Sequence, residues 1–377
     1  ADSLAILKLM AVRSSHHLQS DILRARTSLT IGNERMMDIL PDDPSAGLLA
    51  IPEYSDLFQI PTNSITKLPK LHALESLGRP SSITASNIWA AHSKRTAAKA
   101  SLLAADPHNS LSAPSYWMLA RINLKSGGII GASIPGLPLI MSGRSKKLAW
   151  GFSASNADDA DIYIEQLNPN NKNEYRVENK FLAFKSKKVI LKIKNSPSRT
   201  LELQWTRNGV VLPGTAFGLN QITPHNHFAS IKFTGTNETD KSFSALLDLM
   251  SQDSVTSAQS LFKNYVAPVY NMIVIDPDNI AMQVIGRLPK RKISHLGQGR
   301  IPSQGWINGN QWEGFFSYAN NPTDINPISG ILANTNNKTT NKPFPNHITH
   351  RWSDSFRIKR LSQLMSSRKI HTQDSFM

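Results

Sequence analysis

The sequence predicts an α+β fold built around antiparallel β-sheet. Short apolar runs with strand-like composition dominate the chain from residue 86 onward. Helix-like runs are separated from them along the chain, at residues 3–40, 242–265 and 354–367. The runs 272–275 and 281–285, joined by a turn sequence at 276–279, have the pattern of a hairpin and therefore predict antiparallel neighbours.

The composition is typical of a globular chain and excludes several classes of site. Of the 377 residues, 40% are hydrophobic and 18% are charged, which is enough to bury a sizeable core. The chain has no cysteine, which excludes disulfides, thiolate metal ligands and a cysteine nucleophile. The net charge is +15, but the basic residues form no long run, and no nucleic-acid-binding module is recognisable. We therefore predict no nucleic-acid partner.

A membrane partner is not expected either, because no run approaches the roughly 20 apolar residues that a span requires.

Residues 3–40 are predicted to form three consecutive helices, the last ended by Pro41. Leu4, Leu7 and Met10 recur at helical spacing in the first of them. Residues 41–82 contain six prolines and few periodic runs, which predicts an extended connector.

From Ser86 onward the chain is predicted to consist mainly of strands. The candidate strands outside the hairpin are residues 101–105, 117–122, 148–150, 161–164 and 188–193. The last of these alternates in polarity, as a half-buried antiparallel strand does. Helices are predicted at 242–250, 254–265 and 354–367, and residues 294–345 are rich in loop-forming residues.

Ser86 is the residue on which the functional prediction depends. It lies where the proline-rich connector meets the first strand of the β-rich part. A serine alone carries little information, because most serines are surface or turn residues. Its context is more informative, since a series of short motifs follows in order: Asp106-Pro107-His108 in a predicted turn, Pro135-Gly136-Leu137-Pro138, Leu148-Ala149-Trp150-Gly151 and Asp158-Asp159-Ala160-Asp161-Ile162-Tyr163.

This ordered series resembles the start of the β chain of the penicillin acylases, a family that includes cephalosporin acylases and acylases of N-acyl homoserine lactones. The resemblance covers essentially the whole chain. Each motif is weak alone, but the ordered series is specific. It continues through Asp276-Pro277-Asp278-Asn279-Ile280, Gly286-Arg287-Leu288-Pro289, Gly305-Trp306, Trp312-Glu313-Gly314, Asn326-Pro327 and residues 330–337.

The resemblance implies an N-terminal-nucleophile hydrolase with a four-layer αββα sandwich of antiparallel sheets, incomplete at both ends. Members of the family cut their own precursor before a serine, and here the matching cut falls between Ala85 and Ser86. Residues 1–85 are then the end of the α-chain region, and residues 86–377 are the first part of the β chain. The two chains of one precursor are therefore expected to be partners.

The same resemblance implies the catalytic roles. Ser86 would be the nucleophile, and its own α-amino group, with a pKa of about 7.7–8.0, would be the base. The backbone N–H of Ala154 and the side-chain amide of Asn336 would hold the oxyanion. Asn336 is preferred to its neighbours because it stands three residues after Ala333, as in the family's Ala-Asn-x-Asn pattern.

Two further catalytic assignments have alternatives. His108 matches a position that is glutamine in penicillin G-type enzymes and histidine in the cephalosporin and homoserine-lactone acylases. In the family this residue orients the serine's amino group; the alternative is a turn histidine bonded to backbone. Arg357 matches an arginine that supports Asn336 and the substrate, and its alternative is the solvated face of the last helix.

A structural calcium ion is also implied by the resemblance. Asp158, Asp161 and the carbonyl of Ala160 match calcium ligands, and carboxylate and carbonyl oxygens are what this cation selects. The alternative is a solvated acidic loop. A further acid of the family, expected near His347, has no carboxylate counterpart there.

The resulting prediction is hydrolysis of a linear amide through an acyl-enzyme, with no cofactor required for the chemistry. The substrate is a small N-acyl molecule, either a β-lactam antibiotic or an N-acyl homoserine lactone, and His108 disfavours penicillin G. By resemblance the enzyme is expected in the periplasm. The alternative is a non-catalytic, truncated relative that uses its basic surface to bind polyanions, which salt-dependent retention on a polyanion column would distinguish.

Overall fold

The computed structural model describes residues 2–14, 17–40, 54–58, 85–109, 112–125, 127–236, 239–340 and 346–376. Helices α1 to α7 within these ranges are Asp2–Ser14, His17–Ile39, Tyr54–Phe58, Ser242–Leu249, Val255–Leu261, Phe356–Ser366 and Gln373–Phe376. Strands β1 to β10 are Ala85–Ala91, Leu102–His108, Met118–Leu124, Gly127–Ser133, Ser142–Arg144, Ala149–Ala154, Ala160–Asn168, Asn171–Val177, Lys180–Ala183 and Lys185–Leu191. Strands β11 to β20 are Arg199–Thr206, Gly209–Leu212, His227–Phe233, Tyr270–Ile275, Ile280–Ile285, Pro289–Arg291, Ser303–Gln304, Trp312–Phe315, Thr323–Ile325 and Ile331–Asn334.

A seven-stranded antiparallel sheet, in the order β19-β15-β14-β6-β5-β4-β3, forms the centre of the molecule. The predicted hairpin is confirmed as β14 and β15, and the Asp276 carboxylate accepts the backbone N–H groups of Asp278 and Asn279 in its turn. Helices α1, α4 and α5 contribute to the core on this sheet, where Leu7 and Leu249 are fully buried. Burial of this apolar face is the main source of stability on this side.

A three-stranded antiparallel sheet, β2-β1-β20, packs against the same central sheet. Ile88 of β1 meets Ile273 and Ile280 of the central hairpin in a separate core cluster. The approach is close at Gly151 of β6, where an added Cβ would lie 2.9 Å from Ile88 Cδ1. A side chain at position 151 would therefore force the end of the Ile88 side chain to move.

The outer side of the three-stranded sheet is covered by α6 and α7. Met365 of α6 and Phe376 of α7 are buried with Ala91, and Trp89 and Leu361 pack against them. The order of layers is therefore helix, seven-stranded sheet, three-stranded sheet, helix. The predicted αββα sandwich with antiparallel sheets is confirmed.

A third sheet, of eight strands, carries the middle of the chain. Its order is β10-β11-β12-β13-β7-β8-β9, and β17 pairs in parallel with β7. Leu18 and Ile22 of α2 and Tyr54 of α3 pack on it, together with Ile162 and Ile164 of β7. Strand β7 lies inside this sheet, between β13 and β8.

The N-terminal prediction of three consecutive helices is confirmed. The first is α1, and α2 consists of two helical segments, because the backbone of Gly32 is not helical (φ 76°, ψ 164°). The predicted connector includes α3, and the rest of residues 41–82 lies outside the described ranges. None of the described helices combines the length and the apolar content that a membrane span requires.

Two other predictions need correction. Asp106-Pro107-His108 is not a turn but the end of β2, paired with β1. Strand β10 is almost entirely exposed rather than half-buried, because no described layer covers its faces. The described part of segment 294–345 is rich in loops, as predicted, and it also contains the short strands β17 to β20, of which β20 supplies an edge of the three-stranded sheet. In the structure the chain is uncut, and Ala85 and Ser86 are consecutive residues of β1. The division of the chain at Ser86 therefore stays a prediction.

Candidate active site

Ser86 is the second residue of β1 and only 5% exposed. Its Oγ accepts two hydrogen bonds, one from the backbone N–H of Ala154 and one from Asn336 Nδ2, each with a donor–acceptor distance of 3.0 Å. Ala154 is the last residue of β6, and Asn336 follows β20. The contact between the two sheets thus brings together three residues that are far apart in the sequence.

The side-chain amide of Asn336 has one possible orientation in this network. Its Oδ1 faces two groups that can only donate, the backbone N–H of Ser86 at 2.8 Å and Arg357 Nη2 at 2.8 Å. Its Nδ2 therefore points towards Ser86 Oγ and the Ala154 carbonyl, 2.9 Å away. The backbone of Asn336 is left-handed, with φ 66°, a conformation that asparagine tolerates better than most residues.

Arg357 lies at the start of α6, and its side chain is directed at the site rather than at solvent. Nη1 donates to Asn87 Oδ1 at 3.0 Å and to the Ser86 carbonyl at 3.4 Å. Nη2 also donates to the Thr335 carbonyl, beside its bond to Asn336. The guanidinium thereby holds β1 and the segment after β20 in one arrangement, which favours the positioning role over a solvated helix face.

His108 is near the site but is not bonded to the nucleophile. Its Nε2 lies 2.6 Å from Asp106 Oδ2 and 3.2 Å from Asn87 Nδ2. Asn87 in turn accepts from Arg357. Among the described residues, Asn87 and Arg357 connect the His108 side chain to Ser86 by hydrogen bonds. Direct orientation of the serine's amino group by His108 stays a prediction.

A buried polar pair beneath Ser86 was not singled out from the sequence. Asn271 and Asn334 are both fully buried. Asn271 Nδ2 lies 3.1 Å from Asn334 Oδ1, which also accepts from the Ser153 hydroxyl at 2.8 Å and the Asn336 N–H at 3.0 Å. These hydrogen bonds fix the local geometry of the buried site, although Asn271 Oδ1 itself has no hydrogen-bond partner within the described residues. The sequence does contain a signal for this pair, because Asn271 is an amide residue within the otherwise hydrophobic strand β14.

Asp158 and Asp161, which the resemblance matches to calcium ligands, both contact one buried arginine, Arg291. Arg291 Nη2 is 2.7 Å from Asp161 Oδ1 and 3.0 Å from Asp158 Oδ1, and all three side chains are almost completely buried. Trp312 Nε1 donates to Asp161 Oδ2 at 2.5 Å. Burial alone would raise the pKa of Asp161, but attraction to Arg291 and contacts with His295 outweigh it and hold that pKa well below its usual range.

This arrangement does not fit a calcium ion. The carboxylates of Asp158 and Asp161 already neutralise the guanidinium of Arg291, which itself donates to the Asp158 carbonyl. A hard cation with six to eight oxygen ligands would have to displace that buried charge. At the position where a further acid was expected, His347 offers nitrogen instead of oxygen. We therefore derive no role for calcium from this site, and the calcium assignment stays a prediction from resemblance.

Comparison with known families gives a match along the entire chain, since the penicillin amidase family profile aligns with residues 1–377. This chain is a member of the penicillin amidase family. Among curated relatives, an acyl-homoserine lactone acylase QuiP of Pseudomonas syringae pv. tomato is 30% identical over 379 residues, covering 98% of this chain and 44% of the relative. The QuiP acylase of Pseudomonas aeruginosa is 27% identical, covering 100% of this chain and 45% of the relative.

More distant penicillin amidase relatives match a smaller part of the chain. Penicillin G acylase of Escherichia coli is 23% identical over 297 residues, covering 77% of this chain and 33% of the relative. A solved structure, thermostable penicillin G acylase of Alcaligenes faecalis, superposes with a TM-score of 0.66 at 21% identity over 76% of this chain and 50% of that one. This likeness supports the fold. The chain spans less than half the length of the curated relatives it matches.

Proposed function

We propose that Ser86 is the nucleophile of an N-acyl amide hydrolase. The observation that carries this proposal is the convergence of two donors, Ala154 N–H and Asn336 Nδ2, on the buried Ser86 Oγ. When Oγ adds to a carbonyl carbon, the carbonyl oxygen gains negative charge beside Oγ, within reach of the same donors. Donors fixed before the reaction stabilise this charge without a reorganisation cost.

The proposed mechanism begins with cleavage of the Ala85–Ser86 bond. In the uncut chain, the Ser86 nitrogen is a peptide N–H and donates to Asn336. After cleavage it would be an amine whose pKa of about 7.7–8.0 suits a general base at neutral pH. The amine would take the proton of Oγ as Oγ attacks the substrate carbonyl, and would pass it to the leaving nitrogen. Water would then hydrolyse the resulting ester and restore the serine.

We propose N-acyl homoserine lactones as the substrate class. Relatives named as acylases of these lactones match 98–100% of the chain, whereas the penicillin G acylase of E. coli matches 77%. His108 supports the same direction, because the family has histidine at this position in the lactone acylases. The same resemblance supports two chains cut from one precursor and a periplasmic location.

Intact mass, N-terminal sequencing and product release test this proposal together. We expect a chain that begins at Ser86-Asn87-Ile88 and a free amine released from N-acyl homoserine lactones. Ser86→Ala should abolish both, since the nucleophile is lost, whereas Ser196→Ala, at an exposed serine, should change neither. Equal amine release by the wild-type protein and Ser86→Ala would contradict the proposed role of Ser86.

A further inference from the structure

A cluster of nitrogen and oxygen donors lies beside the arginine that occupies the expected calcium position. Asp158, His347 and His350 each offer one ligand atom, and these atoms lie within 4.8 Å of one another. The two imidazole rings are stacked, with centroids 6.4 Å apart and an interplanar angle of 7°. We propose that these three residues bind a divalent d-block cation of the Zn²⁺ class. The proposal is independent of the catalytic role of Ser86.

The surroundings of His350 give the strongest support for a binding site. Its side chain is fully buried, and neither ring nitrogen has a hydrogen-bond partner within the described parts of the chain. A buried polar group without a hydrogen-bond partner destabilises the folded protein. Nε2 lies 3.7 Å from Asp21 Oδ1, which is too long for a hydrogen bond. A cation bound to one ring nitrogen of His350 would provide a partner for that atom.

The other two proposed ligand atoms, on His347 and Asp158, are already close together. His347 Nε2 lies 3.1 Å from Asp158 Oδ2. Ligands that are about 2.0–2.2 Å from a tetrahedral zinc ion are separated by roughly 3.3–3.5 Å, so a small movement would admit the ion between them. The His347 side chain is 22% exposed, whereas that of Asp158 is fully buried, so an ion can enter past His347.

The protonation states favour binding. Burial lowers the pKa of His347 despite the nearby Asp158, and burial together with Arg24 lowers the pKa of His350 well below its usual value. A lowered pKa favours the neutral imidazole, which is the form that keeps a lone pair for a metal. Two imidazoles and one carboxylate bind zinc, cobalt or nickel in preference to calcium.

Arg291 has a supporting position in this site. It contacts Asp158 Oδ1, whereas His347 contacts Oδ2. The guanidinium can therefore hold one oxygen of the carboxylate while the other binds the ion, as outer-shell hydrogen bonds commonly do at metal sites. The positive charge of Arg291 opposes a second cation, but Asp161 shares and offsets that charge.

Co²⁺ binding to the full chain tests the proposal through the visible d–d absorption of a tetrahedral complex. We expect saturable absorption at one Co²⁺ per chain, displacement by Zn²⁺, and no displacement by Ca²⁺. His350→Gln and His347→Gln should each weaken binding by more than about 100-fold, because losing a ligand costs more than losing an outer-shell contact. His225→Gln, at an exposed histidine, is the matched control and should bind as the wild type does.

The variants separate loss of a ligand from loss of folding. His347 is partly exposed, so His347→Gln should retain the wild-type circular dichroism spectrum even if the buried His350→Gln variant does not fold. Absence of saturable Co²⁺ absorption in the wild type would overturn the proposal. So would equal absorption in the wild type and His347→Gln, or displacement of Co²⁺ by Ca²⁺ at equal concentration.

Discussion

The orientation of one amide group, that of Asn336, decides what the candidate active site can do. Two obligate donors, the Ser86 N–H and Arg357, fix its oxygen on one side and its Nδ2 on the side of Ser86 Oγ. An asparagine that was free to flip would present an oxygen to the developing oxyanion in part of the population. The role of Arg357 at this scale is therefore positional.

Replacing Asn336 tests the oxyanion assignment. Asn336→Asp keeps an oxygen acceptor for Arg357 but replaces the Nδ2 donor with a second carboxylate oxygen, which would repel the oxyanion. We expect kcat to fall by about 10²–10³-fold, the usual cost of one lost oxyanion donor. Amine release under saturating substrate measures the effect, and Asn170→Asp, at an exposed turn, is the control. An unchanged kcat would exclude Asn336 as a donor.

Replacing Arg357 by lysine tests the positioning role. Lysine keeps the charge but cannot contact Asn336 and Asn87 through one planar group. We expect a fall of about tenfold in kcat, with little change in KM, because only the alignment of the Asn336 amide is lost. Arg360→Lys, on the exposed face of the same helix, should leave both constants unchanged. Equal effects of the two variants would show that charge alone matters.

At the scale of elements, strand β7 carries a buried carboxyl group that is hydrogen-bonded to β13, to the end of β11 and to the turn that follows β11. Glu165 Oε1 accepts from Thr206, Asn208 and Ser230 at 2.8–2.9 Å. Burial nevertheless raises the pKa of Glu165, and these three hydrogen bonds only partly offset that effect. The charged form is thus less favourable in the folded protein than in the unfolded chain.

The sign of the resulting pH effect can be measured with Glu165→Gln. Below about pH 4.3, the pKa of an unfolded glutamate, the carboxyl is protonated in both states and contributes no pH dependence. As the pH rises towards the higher folded pKa, the unfolded state ionises first and the wild type loses stability. We expect the Tm of Glu165→Gln minus that of the wild type to increase from pH 4 to pH 7. Glu178→Gln, at an exposed position, should give no such increase.

At the scale of the whole molecule, Arg291 connects parts of the chain that are distant in sequence. It lies in β16 and contacts Asp158 before β7 and Asp161 within β7. Asp158 is bonded to His347, and His350 of the same segment lies near Asp21 of α2. A positive group therefore stands where the family resemblance placed a cation, and it joins the eight-stranded sheet to the segment before α6.

Removing this charge should destabilise the protein strongly. Arg291→Met leaves two buried carboxylates without their partner, and breaking a buried pair in this way costs about 3–5 kcal/mol. Urea denaturation followed by tryptophan fluorescence measures the change. Lys290→Met, in the same strand but with an exposed ion pair to Glu313, should alter stability by less than about 0.5 kcal/mol. Similar stabilities of the two variants would show that Arg291 is not a structural cation.

The sequence by itself determined the antiparallel α+β fold, the hairpin of β14 and β15, and the serine at the start of the β-rich part. These depend on local periodicity and on an ordered series of motifs, both of which are readable along the chain. It also indicated Ala154, Asn336 and Arg357, but only through resemblance. Asp106-Pro107-His108 was misjudged as a turn, because pairing with β1 overrides the local turn preference of these residues.

Only the tertiary structure decided which polar groups meet. The amide orientation of Asn336, the buried pair of Asn271 and Asn334, and the placement of Arg291 between two carboxylates all join residues more than 60 positions apart. Such contacts have no period and no fixed spacing in sequence. They are set by the packing of one sheet on another. The same packing places the guanidinium of Arg291 against Asp158 and Asp161.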